Sequence, residues 1–360
     1  MMIKEAIAKV VRGNHLTEGE MERSMDEIMS GRATPAQIGA FATALRLKGE
    51  TVDEITGAAR AMRHKSIKIN LNNHLLNLDR DEINVEEETI LDTCGTGGDG
   101  TNTFNVSTAC AFVAAGGGVN VAKHGNRAVS SLCGSADVIE SLGVKLEITS
   151  SDAERCIREV GIGFLYAPIF HGAMRYAAGP RQEIGIRTIF NLLGPLTNPA
   201  GASAQVIGVY DSALTEKIAH VLKRLGTREA FVVCGEGTLD EISICGPTHV
   251  SHLKNREVRT FDLTPEEVGL KRAAPEGIKG GNALENARII HEVLDGQQGP
   301  KRDIVLLNTA AAYVAVGFDG CLKDGIERAK TSIDSGRARE KLHQLIAFTQ
   351  QCGPFVRKEL

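Results

Sequence analysis

Within its first 54 residues the chain places the same helix-start signal three times. Thr17 is followed at the third position by Glu20, Thr34 by Gln37 and Thr51 by Glu54. In each, a hydroxyl suits the N-cap and the later acid or amide suits the reciprocal bond of a capping box. Pro35 falls at the first helical position, where its missing N–H costs nothing. Ile38, Phe41, Ala42 and Leu45 then recur at helical spacing, as do Ile55, Ala59 and Met62. The opening segment is therefore expected to be all-helical.

The pattern then changes. An Asn-rich stretch over 69–88 reads as a connector. After it come short apolar strands at 89–93, 119–122, 206–210 and 231–234, with a helix at 107–115. Strands alternating with helices predict an α/β sheet, mostly parallel. Helical periodicity returns over 283–294, 303–316 and 324–335. The expected fold class is α/β, a small all-helical N-terminal domain plus a larger α/β domain with a mostly parallel central sheet flanked by helices. The division is set at 1–68 and 69–360, with helical segments near 165–190 returning to the small domain. A chain of 360 residues is long enough for two such lobes.

Composition narrows the function. Acids exceed bases, 45 to 41, Trp is absent and aromatics reach only 4%. Nucleic-acid binding needs a basic patch or stacking platform, and neither stands out. Eight cysteines include no C-x-x-C pair, and several, such as Cys110, lie in apolar runs, which predicts buried thiols over bridges or a zinc site. No apolar run of about 18 residues is present to span a membrane, and charges in the first residues argue against a signal peptide. The expected compartment is cytoplasmic.

The sequence Gly95-Thr96-Gly97-Gly98-Asp99-Gly100 follows a strand and formally fits a dinucleotide fingerprint. That reading fails on two counts. The helix starts only near Val106, and the next strand ends in Lys123 where a ribose-binding acid is wanted. What remains is a backbone nest followed by Asn105, Val106, Ser107 and Thr108 at a helix N-terminus, which suits an anion. Lys123, His124, Gly125, Asn126, Arg127, Ala128, Val129, Ser130 and Ser131 follow a strand end as well and read as a polyanion cradle at the same sheet edge. Asp240 and Glu241, in a loop after a third strand, suit a hard divalent cation bridged to a diphosphate, and Ser107 offers a further oxygen. Arg175, Arg181 and Arg187 supply candidates for an acceptor carboxylate; the residues alone do not choose among them.

Taken together, these segments resemble the anthranilate phosphoribosyltransferase family. The resemblance runs the length of the chain and includes Lys279-Gly280-Gly281-Asn282-Ala283-Leu284-Glu285-Asn286 and the segment 187–199. It implies transfer of a 5-phosphoribosyl group from phosphoribosyl pyrophosphate to the amine of anthranilate, in tryptophan biosynthesis. By position it implies a donor site of Gly95, Gly98, Asp99, Thr103, Asn105, Val106, Ser107, Thr108, residues 123–131 and Ser135. It also implies Mg²⁺, two ions expected, on Ser107, Asp240 and Glu241, and anthranilate contacts at Gly95, Asn126 and Arg181. Lys123 and Arg127 would neutralise the departing pyrophosphate and His124 would orient the acceptor. A homodimer through the small α domains is implied too, with no nucleic-acid or membrane partner. Departures from the family pattern are Gly172 in place of a proline, Gly179-Pro180 before Arg181, and a longer connector over 69–88.

Two rivals share this architecture, a pyrimidine nucleoside phosphorylase and a non-catalytic nucleic-acid-binding paralogue. The lysine-loop sequence disfavours the first. The net charge of -4 and the intact Asp240-Glu241 pair disfavour the second.

Overall fold

A computed structural model describes residues 2–71, 89–128, 132–353 and 355. Four helices open the chain, α1 (Ile3–Val11), α2 (Glu18–Met29), α3 (Pro35–Lys48) and α4 (Val52–Lys65). All three predicted capping boxes form, each threonine accepting from the amide three residues on. Glu54 does more than cap. Its buried carboxylate also accepts from Leu16 N at 2.9 Å and from Lys48 Nζ at 2.8 Å, fastening the α1–α2 and α3–α4 turns to one point.

The α/β part begins with β1 (Ile90–Gly95), α5 (Val106–Gly116), β2 (Asn120–Gly125), α6 (Ser135–Ser141), α7 (Ser150–Val160) and β3 (Ile162–Tyr166). Short helices α8 (Ala167–Phe170), α9 (Arg175–Ile184) and α10 (Ile189–Leu193) lead to β4 (Ala204–Gly208), α11 (Thr215–Leu225) and β5 (Glu229–Gly235). A hairpin of β6 (Thr248–Lys254) and β7 (Glu257–Leu263) precedes α12 (Ala283–Leu294), α13 (Pro300–Ala315), α14 (Leu322–Asp334) and α15 (Arg337–Gln351). The sheet runs β3-β2-β1-β4-β5-β6-β7, its first five strands parallel and the hairpin antiparallel. The sheet is thus mostly parallel, as expected, and mixed through the hairpin; β3 and the hairpin are additions to the strands expected from sequence. The expected connector over 69–88 lies mostly outside the described residues, since 72–88 are not described.

Each face of the sheet has its own core. Val206, Phe231 and Val233 point to the side covered by α5 and α13, while their neighbours Ile207, Val232 and Ala230 join Ile38, Phe41, Leu45 and Ile55 of the opening helices. This is the two-residue alternation of a strand buried on both sides. Helices α9 and α10 pack against α3 and α4, so chain from beyond β3 returns to the helical lobe. No helix among the described residues is long and apolar enough to cross a membrane.

Chain order places β1 centrally: β2 and β3 build outward on one side, β4 and β5 on the other. Such a reversal opens a crevice at the C-terminal strand ends, where open α/β sheets bind ligands.

Candidate active site

Gly95 and Gly208 are register partners at the ends of β1 and β4, on that crevice. A Cβ on either would collide with Asp240, on its carboxylate at Gly95 and on its main-chain oxygen at Gly208. Glycine on both strands is what lets the 240–241 segment lie across the strand ends. Beyond Gly95 the loop turns on positive φ at Gly97 (68°), Gly98 (67°) and Gly100 (78°), conformations that side chains resist. Gly97 N donates to Asp240 Oδ2 at 2.8 Å. Thr238 Oγ1 donates to Asp99 O at 2.5 Å, and Thr103 pairs with Lys279 in an isolated antiparallel bridge.

The N-terminus of α5 meets the same point. Ser107 N donates to Glu241 Oε1 at 3.1 Å, and Lys123 Nζ donates to Ser107 Oγ at 3.2 Å and to Thr93 O at 2.5 Å. Glycine-rich loop, helix terminus, lysine and acid pair therefore converge, although the acids lie more than 110 residues beyond Lys123 in sequence. Burial, with the Asp99 carboxylate adding to it, pushes Asp240 up to about 7. Burial and Asp240 hold Glu241 well above the carboxylate range, with Lys123 opposing them. Two adjacent carboxylates, Glu241 buried and Asp240 half-buried, carry a desolvation cost. A hard cation would offset that cost, and the oxygen donors present are those Mg²⁺ prefers.

The strand expected to end in Lys123 runs two residues further. β2 runs to Gly125, so Lys123 and His124 are strand residues whose side chains are both buried. The strand continues past its apolar run because each polar side chain finds a partner inside. His124 Nδ1 lies 3.2 Å from Gly194 O, and its ring centroid is 5.0 Å from that of His171. Burial chiefly, with His171 beside it, pushes His124 down to about 3; burial pushes His171 down to about 4.

Beyond the strand, Asp137 at the start of α6 accepts from both Ala128 N and Gly134 N at 2.9 Å, closing the loop. Asn126 O accepts from Ala136 N at 3.1 Å and from Ser135 Oγ at 3.4 Å. Arg127 is not free over a cradle. Its guanidinium binds Glu140 at 2.8 and 3.0 Å and Asp137 at 3.1 Å. Val129, Ser130 and Ser131 lie outside the described residues.

On the acceptor side, Arg187 stacks on Tyr210 and Arg175 on Tyr176, while Arg181 stands 5.5 Å from the Phe190 ring centroid. Burial lowers the Arg181 pKa, marking a desolvated cation suited to a carboxylate. No hydrogen bond ties Arg181 to Gly95 or Asn126 among the described residues. Sequence reasoning assigns no site role to Asp137, whose signal is a capping-box position, or to Asn286, which closes the segment 279–286.

The chain is similar to known proteins along most of its length. The helical bundle domain of a glycosyl transferase family matches residues 4–66, and the a/b domain of that family matches 87–339. Anthranilate phosphoribosyltransferase from Geotalea uraniireducens is 58% identical over 350 residues, 97% of this chain and 100% of the relative. That from Pelobacter propionicus is 58% identical over 349 residues, 97% of this chain and 100% of its own. Among solved structures, anthranilate phosphoribosyltransferase from Thermus thermophilus is 42% identical with a TM-score of 0.87, covering 96% of this chain and 99% of its own. The Saccharomyces cerevisiae enzyme in complex with PRPP and Mg is 31% identical with a TM-score of 0.86, covering 97% and 98%.

Proposed function

This chain belongs to the anthranilate phosphoribosyltransferase family, and on that premise we propose that the residues meeting at the β1 and β4 strand ends are its active site. The reaction is transfer of the 5-phosphoribosyl group from phosphoribosyl pyrophosphate to the amine of anthranilate, releasing pyrophosphate, in tryptophan biosynthesis.

The donor is held by Gly95, Gly98, Asp99, Thr103, Asn105, Val106, Ser107, Thr108, residues 123–131 and Ser135. The observation that carries this reading is the convergence of the glycine-rich loop, Ser107, Lys123 and the Asp240-Glu241 pair. Ser107, Asp240 and Glu241 would hold Mg²⁺, as two ions, and the metal would supply positive charge against the diphosphate. Lys123 is fixed beneath the α5 terminus and contributes charge there. Arg127 contributes only by releasing its carboxylate partners on α6. Gly95, Asn126 and Arg181 hold anthranilate, with Arg181 supplying the desolvated cation for its carboxylate. The amine of an arylamine is itself nucleophilic, so positioning and charge stabilisation carry the rate. The buried, neutral His124 orients the acceptor and accepts no proton.

The helical lobe is assigned to 1–68 and the α/β lobe to 69–360, in a cytoplasmic homodimer. Dimer contact runs through the helical lobes, where Val11 and Leu47 stand 68% and 84% exposed. The test of the site is Asp240→Asn combined with Glu241→Gln. Turnover and Mg²⁺ response are expected to collapse by about a hundredfold or more while the melting temperature is retained. Unaltered metal response would remove the assignment. In parallel, Arg181→Ala is expected to raise the KM for anthranilate and leave that for the donor unchanged.

A further inference from the structure

One buried amide links parts of the donor site that lie far apart in sequence. Asn286, in the first turn of α12, is 1% exposed. Its Oδ1 accepts from Gly281 N at 2.8 Å and its Nδ2 donates to Asn105 Oδ1 at 2.9 Å. Because Gly281 N can only donate, the orientation of the Asn286 amide is fixed, and its NH₂ must face Asn105.

Asn105 stands at the N-cap of α5, where an asparagine side chain ordinarily accepts from the first helical amides. Here it makes no such bond. Its Oδ1 is committed to Asn286, and its Nδ2 donates to Cys133 O at 3.3 Å, at the close of the lysine loop. The Ser107 amide that a cap would take is left to Glu241. The 278–281 segment is also bonded to the glycine-rich loop, with Gly280 N donating to Asn102 O at 2.9 Å and Phe104 N to Ile278 O at 3.4 Å. A Cβ on Gly280 would press within 2.5 Å of Phe104 Cα and of Asn286 Oδ1, so this close approach depends on glycine.

We propose that Asn286 is a positioning residue for the phosphoribosyl donor. It draws Asn105 off the helix terminus and sets the glycine-rich and lysine loops in one register, leaving the α5 amide end open to the acid pair and the diphosphate. This rests on the reading that these two loops hold the donor.

Steady-state kinetics on Asn286→Ala and Asn286→Asp, with Asn105→Ala as reference, test it. The aspartate retains the acceptor for Gly281 N but cannot donate to Asn105, whose amide keeps the contact only by turning over and giving up Cys133 O. The variant therefore breaks the link between the loops even if the alanine variant folds poorly. In each folded Asn286 variant the KM for phosphoribosyl pyrophosphate is expected to rise about tenfold, with the KM for anthranilate within about twofold. Adding Asn286→Ala to Asn105→Ala is expected to change the donor KM little further, because both remove one link. A donor KM unchanged in both Asn286 variants, or rising in step with the anthranilate KM, overturns the proposal. If Asn105→Ala itself leaves the donor KM unaltered, the donor-site reading fails and this inference with it.

Discussion

At the scale of single residues, the site is defined by where polar groups are buried. Lys123 and His124 are adjacent on β2 and lie on opposite sheet faces, so one strand supplies the proposed donor side with an ammonium and the other face with an imidazole. Both residues read from sequence as candidate site residues. Their burial was not legible there, because periodicity reports apolar positions and says nothing of a lysine whose partners come from Thr93 and Ser107. The buried histidines give a pH prediction. With His124 and His171 depressed to about 3 and about 4, the unfolded chain binds protons below about 6.5 that the folded chain refuses. Stability contributed by the neutral rings is therefore present above about 6.5 and is lost as pH falls from there. Between pH 6.5 and 5.5 the loss is about 1 kcal/mol per ring. Urea unfolding at the two pH values measures it, and His171→Gln is expected to flatten the difference.

Elements differ in how plainly the sequence announces them. The opening helices were legible because their capping boxes are local, and the end of β1, the start of α5 and α12 were legible from glycine punctuation and helical spacing. β3 was not, since the five residues Ile162–Tyr166 follow the helix α7 after only Gly161 and look like its continuation. The hairpin was hidden for another reason. Its two-residue turn, Asn255 and Arg256, has φ of 51° and 63°, the shape usually signalled by Asn-Gly, but here an arginine occupies the second position. One capping residue carries more than its helix. Glu54 pairs with Lys48 where their side chains are 0% and 5% exposed. Burial would raise the Glu54 pKa, but the Leu16 and Thr51 amides and Lys48 hold it below the carboxylate range. Its contribution is thus present above about 4.3 and lost as pH falls through the lowered value. Glu54→Gln strands a buried ammonium and is expected to destabilise by about 3–5 kcal/mol, read from the denaturant midpoint at neutral pH.

For the molecule as a whole, the helical lobe and one sheet face share a single apolar core, so the lobe bearing Arg181's neighbours is held firmly against the strand ends. Opposite that core, α1 and α3 present Val11 and Leu47 outward. Val11→Asp with Leu47→Asp is expected to halve the sedimenting mass while leaving the helical content unaltered; an unchanged mass places dimer contact elsewhere. How the sheet reverses at β1 decides which loops meet, and that was only partly legible. Gly95, Lys123 and the acid pair each read as strand-end residues, but the meeting of Asp240 with both Gly95 and Gly208 needed the strand order. The central claim is that these loops together catalyse phosphoribosyl transfer to anthranilate. Anthranilate fluorescence, followed with the purified chain, tests it most directly. It is expected to decay only when phosphoribosyl pyrophosphate and Mg²⁺ are both present, with pyrophosphate released in equal amount. Fluorescence that holds steady with both present would contradict the account.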